Sequence, residues 1–461
     1  LKPVVVVGAG PSGLLQALFL AKRGHRVIVI EQQPVLGGMF AGAATPWGVV
    51  DQGIHIIQET GDPAWDALFT EILPAAEWSV FTGPKRDLAG NVFAGSFDDG
   101  SMFPDLRRLP RAAYQHCVDE MRDLTGTPPV IAETANLADY LERRFGRHAV
   151  ERVFEPVARK IWRQSAARIH PAAARIVYLA RVVIDDHAAT LALKRSPAWD
   201  ERLAFPDQRN VPAAFAAGRP ATRYPAGYGI WRVVEGLRAA LERHGATLLP
   251  ATRLRGIERG PKRIDALQLA SGERGEARVE VDAVVWTLAP AELLRLHDMP
   301  VAALPDPPVP HRFVWLLCDR PPLSGDVHWL RSFEPGDPVV RMSNPAAYCP
   351  DSAADGHPLC VEMHVDDPNT PDDRAAELAE SALRALGLVA AETRVRAAQV
   401  LPGSRNFFVP TLANCAALAA DARALDGVRP DNLVISAQDI GAAIFYLPEI
   451  LTAATEKLLA L

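Results

Sequence analysis

The residues best suited to chemistry by type and spacing lie near the N-terminus. Gly8-Ala9-Gly10-Pro11-Ser12-Gly13 is a G-x-G-x-x-G turn, and Glu31 follows one helix and one strand later. Gly8 permits the tight turn and Gly10 lets a pyrophosphate approach the backbone. Gly13 lets the following helix sit close to the strand, and Ser12 lies within the turn. The helix N-terminus offers amide groups and a positive dipole end to phosphates. A carboxylate at Glu31 is placed to accept hydrogen bonds from a ribose hydroxyl.

These residues need a βαβ unit to position them, and the surrounding sequence reads as one. Val4 to Val7 is an apolar β-branched run, a buried strand. Leu14, Leu15, Ala17, Leu18, Leu20 and Ala21 give a helical apolar pattern closed by Lys22-Arg23-Gly24. Val27 to Ile30 is a second buried strand, ended by Glu31. A G-x-G-x-x-G alone is a weak signal. Strand, turn, helix, strand and acid in register indicate a bound dinucleotide.

Composition narrows the rest. The chain has 461 residues, 49% hydrophobic and 23% charged, enough for two or three domains or an interleaved pair. A net charge of -6 offers no general basic field for nucleic acid. The five cysteines, Cys117, Cys318, Cys349, Cys360 and Cys415, form no C-x-x-C pair and no metal-ligand spacing, so no metal is expected. Reduced thiols in a cytoplasmic protein are the expectation. No apolar run reaches the roughly 18 residues of a membrane span. The apolar start is broken at Gly8 and does not read as a signal peptide, and Leu1 points to a few residues before it.

Further segments define the cofactor. Glu31 is followed by Gln32 and then by the pair Gly37-Gly38 with Met39; Asp51-Gln52-Gly53-Ile54-His55-Ile56-Ile57 comes next. Tyr224-Pro225-Ala226-Gly227-Tyr228-Gly229 opens a helix over 232–244, and Val279 to Thr287 leads into Leu288-Ala289-Pro290. Arg405 to Pro410 and Asn432 to Asp439 complete the set. Together these resemble the FAD superfamily of monoamine oxidases, protoporphyrinogen oxidases, phytoene desaturases and UDP-galactopyranose mutases. The resemblance implies an α/β fold in which a Rossmann-like FAD-binding domain of the glutathione-reductase type is interleaved with a mixed α+β substrate domain. It implies non-covalent FAD, with the glycine pair near the diphosphate and ribityl chain and the backbone at Leu254 near the adenine. Asp439 is then near the ribityl or pyrophosphate oxygens, Leu447 begins the last helix at the flavin, and Arg405 lies near the flavin. Most members carry Arg after the glycine pair, where this chain has Met39. They also carry Gly before the last Asp, where this chain has Gln438, a side chain that crowds a close approach.

The expected boundaries are 1–60, 224–300 and 406–461 for the FAD-binding domain, and 61–223 with 301–405 for the substrate domain. In the latter, helices are expected over 65–73, 137–145, 149–163 and 171–182, a hairpin from Val92 to Ser101, and strands near 313–317, 339–342 and 360–365. Arg159, Lys160 and Arg163 beside Trp162 read either as an anion site or, preferably, as a solvated helix face with one buried Trp.

Candidate reacting-end residues are His55, which titrates in the useful range, Tyr446, at the place of an amine-oxidase aromatic over the flavin face, and Arg405. No lysine occurs between Val301 and Pro402, where amine oxidases carry one. The preferred reading is an FAD-dependent oxidoreductase that dehydrogenates a small organic substrate, an anionic one suiting the basic cluster, in a biosynthetic role. A redox-neutral mutase acting on a nucleotide sugar is the alternative, and a non-catalytic flavin-binding protein the third. No nucleic-acid partner is expected. A homodimer is compatible with the sequence.

Overall fold

The computed structural model describes residues 2–461 apart from 125, 217, 274, 354 and 402–405. Its organising element is a five-stranded parallel sheet, in the order Thr247–Leu249, Val27–Ile30, Val4–Val7, Ala283–Trp286, Leu433–Ile435. Strands from the two ends of the chain and from its middle therefore lie side by side. Val4 to Val7 and Val27 to Ile30 are all buried, as continuous β-branched runs in a sheet covered on both faces should be. The helix Pro11–Ala21 is buried from Gly13 onward, so it is apolar nearly all round rather than amphipathic.

Helices Trp231–Arg243 and Leu447–Leu459 pack against it. On the other side of the sheet a three-stranded antiparallel meander, Thr252–Arg259, Ile264–Ser271 and Gly275–Glu280, joins the core of Val5, Val7, Ile28 and Trp286. Asn432 ties this meander to the sheet. Its amide accepts from Ile264 N at 2.8 Å and donates to the carbonyls of Ile264 and Asp282.

A second, mixed sheet is built from two distant segments. Val309–Cys318 lies between Val395–Val400 and His357–His364; the order continues through Val339–Ser343 and Trp329–Ser332 to Ala89–Phe93 and Ser96–Asp98. Alternate residues of these strands and the helix Asp372–Ala385 form one core. A separate core holds the helices between 111 and 205, around Phe145, Phe154 and Trp162.

Three helix expectations shift here. The helix expected over 65–73 breaks into Pro63–Asp66 and Phe69–Ile72, and the hairpin expected from Val92 to Ser101 has its turn at Ala94-Gly95. Both residues have positive φ, 51° and 77°, as a two-residue hairpin turn of the primed type requires. The helix expected over 149–163 runs on through a π-helical stretch, Val150–Phe154, into Glu155–Trp162. The helix expected over 171–182 is only Ala173–Ile176, because Tyr178 takes a left-handed backbone, φ 59°.

Candidate functional site

The carboxyl ends of the parallel strands open into one cavity of about 1340 Å³. The crevice at the carboxyl ends of the strands is where open α/β sheets hold ligands. Its first wall is the glycine-rich turn. A Cβ at Gly13 would lie 2.0 Å from the Gly8 carbonyl oxygen, so this glycine is needed for helix and strand to touch. Gly8, at φ 100°, is closed in by Thr287. Gly10 is different. Its φ of -71° suits any residue, and nothing lies within 4 Å of where its Cβ would be. The open space at Gly10 leaves the backbone at this helix N-terminus accessible, as the close approach of a phosphate requires.

Glu31 stands beside this turn. Its carboxylate accepts from Ala9 N and Gln33 N, each at 2.9 Å, which fixes it at the end of its strand. Gly37 donates to the Ala9 carbonyl at 2.8 Å, and a Cβ on it would strike Val234. Gly38 packs against Gly10, with its would-be Cβ 3.2 Å from the Gly10 Cα. The glycine pair thus clamps the second loop onto the first. Met39 projects from it, 41% exposed, into the cavity.

The next segment supplies His55 and the group that anchors it. Asp51 is fully buried. It accepts from Tyr224 Oη at 2.6 Å and from Ile230 N at 2.8 Å, while its carbonyl accepts from Trp315 Nε1 at 3.0 Å. Burial pushes its carboxyl up to about 7, against the pull of those two hydrogen bonds. Asp51 therefore brackets the Tyr224–Ile230 segment, which leads into the helix Trp231–Arg243, to the strand Val309–Cys318 of the mixed sheet. Four residues on, His55 donates from Nε2 to the Gln52 carbonyl at 2.9 Å and lies 5.4 Å from the Phe40 ring. Its ring lines the cavity.

The opposite wall comes from the C-terminal segment. After Leu433–Ile435 the chain makes a loop closed by two Asp439–Ile444 backbone hydrogen bonds of 2.8 Å. Asp439 caps it by accepting from Ala442 N at 3.0 Å. Gln438 lines the cavity beside this loop. Its amide turns along it and donates to the Phe445 carbonyl at 2.9 Å. Tyr446 follows at the N-terminus of the last helix, and its hydroxyl donates to the Arg175 carbonyl at 3.1 Å. Glu449, in the first helical turn, accepts from Phe445 N and Tyr446 N and pairs with Arg175. This helix end therefore presents a paired carboxylate as well as its dipole.

The far end of the cavity combines flat rings and guanidinium groups. Tyr178, Trp329 and Tyr446 supply the rings, and Arg86, Arg175, Arg181 and Arg341 the charges. Tyr178 and Trp329 stand 5.3 Å apart. Trp329 Nε1 donates to Asp87 at 3.0 Å, and burial pushes that carboxyl up against the pull of this bond and of Arg86. The left-handed backbone at Tyr178 is an outlier placed at the cavity wall, where such outliers concentrate.

Of the residues singled out in the sequence, Gly8, Gly10, Ser12, Gly13, Glu31, Gly38, Met39, His55, Asp439, Tyr446 and Leu447 line this one cavity. Gly37 supports the wall from behind. Gln32 is exposed beside Glu31 and Leu254 sits in the meander; neither lines the cavity. Arg405 lies outside the described residues.

The basic cluster is not a single solvated face. Arg159 is paired with Glu155 and Arg163 with Asp366, but Lys160 is only 3% exposed and bonds Ser332 and Asp337. None of the three lines the cavity. The cavity's cations at the ring-lined end, Arg86, Arg175, Arg181 and Arg341, come from three separate stretches, with Arg429 and Lys457 lining it elsewhere. Among the described residues there is no cluster of metal ligands and no helix long and apolar enough to cross a membrane.

Comparison with known proteins agrees with this geometry. Residues 6–72 match the family described as NAD(P)-binding Rossmann-like domain. A thiamine thiazole synthase of Pyrobaculum neutrophilum is 35% identical over 98 residues, 21% of this chain and 36% of that protein. The match thus spans about a third of that curated relative's length. The structure of reduced UDP-galactopyranose mutase superposes with a TM-score of 0.70 at 16% identity, over 99% of this chain and 95% of that one. An Exiguobacterium sp. 255-15 protein named for protoporphyrinogen oxidase gives 0.66 at 16% identity, over 100% and 98%. Along its whole length the chain has the fold of these two proteins.

Proposed function

We propose that this chain is an FAD-dependent oxidoreductase that dehydrogenates a small organic substrate. The observation that carries the reading is the continuous cavity. It starts at the open space over Gly10 with Glu31 beside it, passes Asp439, and ends between His55, Tyr446 and a wall of aromatic and arginine side chains. Gly8, Gly10, Ser12 and Gly13 would hold the diphosphate and Glu31 the ribose. Gly38, Met39, Asp439 and Leu447 would follow the cofactor toward its ring, with Gln32 and Leu254 near its adenosine end. FAD held there non-covalently would supply the hydride acceptor. The chain's part is to place the substrate against it, exclude water and move a proton, for which His55 is the titratable group at hand.

In this reading 1–60, 224–300 and 406–461 form the cofactor domain, and 61–223 with 301–405 the substrate domain. Five buried, unpaired cysteines suit a reducing cytoplasm. The purified protein should be yellow, and its flavin should bleach anaerobically on adding substrate. Colourless, flavin-free protein after gentle purification would remove the reading.

A redox-neutral mutase acting on a nucleotide sugar is the second reading, favoured by the arginines at the substrate end, which suit a diphosphate. Turnover that begins only after dithionite reduction, with no net bleaching by substrate, would select it over dehydrogenation.

A further inference from the structure

One guanidinium beside the wall of the substrate end forms no ion pair among the described residues. Arg331 lies on the strand Trp329–Ser332, on the same face as Trp329 by the alternation of a strand, and Trp329 lines the cavity. Arg331 is 6% exposed, and its Nε and Nη1 have no hydrogen-bond partner among the described residues. Its guanidinium carbon stands 6.0 Å from the centre of the Tyr178 ring, another part of the cavity wall. That distance is at the outer limit of a cation–π contact and does not replace a counter-ion.

The neighbouring strand sharpens the imbalance. Arg341 is directly opposite Arg331 in register and also lines the cavity. It takes both oxygens of Glu362, in bonds of 2.7 and 2.9 Å. Glu362 is thus committed to Arg341. Two guanidinium groups, Arg331 buried and Arg341 partly open to the cavity, face one carboxylate. A buried charge left this way is costly unless something pairs with it. Asp87, the other acid at this end, is occupied by Trp329. By contrast Lys160, equally buried on the far side of the same strand, has its own Asp337.

We propose that Arg331, with Arg341 beside it, receives an oxyanion of the substrate, a carboxylate or a phosphate ester, while the substrate's flat or apolar part lies against Tyr178, Trp329 and Tyr446. The proposal rests on the reading of this cavity as the substrate chamber of a flavoenzyme. It assigns the anion to residues other than the Arg159–Arg163 cluster.

The test uses three ring compounds of one shape on the protein as purified: benzoate, phenyl phosphate and the neutral benzamide, at matched ionic strength, with binding read by titration calorimetry. At least one of the two anions should bind tenfold or more tightly than benzamide; which one identifies the oxyanion. In Arg331→Gln that anion should lose tenfold or more while benzamide changes less than twofold. Arg159→Gln, on an exposed helix face, should bind all three like the wild type.

Because the wild-type Arg331 charge is unpaired, the ligand-free Arg331→Gln protein should melt no lower than wild type. A purely structural arginine would lower the melting temperature and weaken benzamide along with the anions. Equal binding of benzamide and both anions by the wild type overturns the proposal without any variant, as does unchanged anion binding by Arg331→Gln. The visible spectrum of the same sample reports separately on the flavoenzyme reading. A flavin-free sample defeats that reading, while the anion preference is still decided by calorimetry.

Discussion

Two glycines three residues apart should fail in opposite ways when changed to alanine. At Gly10 the backbone, φ -71° and ψ 175°, is ordinary for alanine, and nothing lies within 4 Å of the new methyl group. The cofactor-free protein should therefore be unharmed, or gain about 0.4–1 kcal/mol from the stiffer unfolded chain. The methyl group would, however, fill the cradle proposed for the diphosphate. A heavy atom there must displace a phosphate by more than an ångström, and we expect FAD affinity to fall about 100-fold or more, about 2.7 kcal/mol.

At Gly13 the new methyl group would meet the Gly8 carbonyl oxygen at 2.0 Å, a backbone atom that cannot swing aside. Helix Pro11–Ala21 must then lift off the strand Val4–Val7, which should cost the protein about 1–3 kcal/mol or more before any ligand is added. Two measurements separate the cases: the melting temperature of each cofactor-free variant, and flavin content after reconstitution and gel filtration. Gly10→Ala should melt like wild type and return without flavin; Gly13→Ala should melt lower from the outset. If Gly10→Ala retains stoichiometric flavin at wild-type affinity, no diphosphate lies over Gly10 and the placement of the cofactor is wrong.

Other expectations follow from the same geometry. Asp51 is held protonated more readily in the fold, near 7, than its ordinary value of 3.8. A raised acid contributes fully below about pH 4, and that contribution is lost as pH rises toward 7, by up to about 4 kcal/mol. The melting temperature of Asp51→Asn minus that of wild type should therefore climb between pH 5 and 8; a flat difference would refute the assignment. Lys160→Met leaves the half-buried Asp337 without its cation, held only by the Ser332 hydroxyl and Val339 N, and should cost about 3 kcal/mol, read as a lower urea midpoint, with no effect on flavin content. Tyr446→Phe loses one hydrogen bond to Arg175, about 1 kcal/mol, but keeps its ring. Turnover should survive in Tyr446→Phe and fall in Tyr446→Ala, whereas equal loss in both would give the hydroxyl a role in turnover. His55→Ala should reduce turnover at unchanged flavin content; unchanged turnover would take His55 out of the reacting end.

How far the sequence could be read follows from how local each constraint is. The turn at Gly8–Gly13 is legible because a strand, a tight turn and a helix must be contiguous, and Gly13 has no alternative at 2.0 Å from a carbonyl. The cavity's C-terminal wall was legible only through resemblance, since nothing in the spacing of Asp439 or Tyr446 says that they meet Glu31 across a sheet. Gln438 shows the limit of that route. The resemblance expects a glycine, but the amide turns aside onto the Phe445 carbonyl, which a single substituted letter cannot reveal.

The helix expected at 171–182 failed for a tertiary reason. Its alanines and arginines suit a helix, yet Tyr178 is held at φ 59° against Trp329 and the cavity, so packing outweighed propensity. The basic residues misled in the same way. Arg159, Lys160 and Arg163 are adjacent in sequence and so were conspicuous, but Glu155, Asp337 and Asp366 already neutralise them. The unpaired charge is Arg331, an unremarked residue in the middle of a strand. Whether an arginine is paired depends on the register of Trp329–Ser332 against Val339–Ser343 and on which partner Glu362 selects. Charge that serves a ligand in this fold is thus found by counting what remains after the protein's own pairs are closed, and only the three-dimensional register supplies that count.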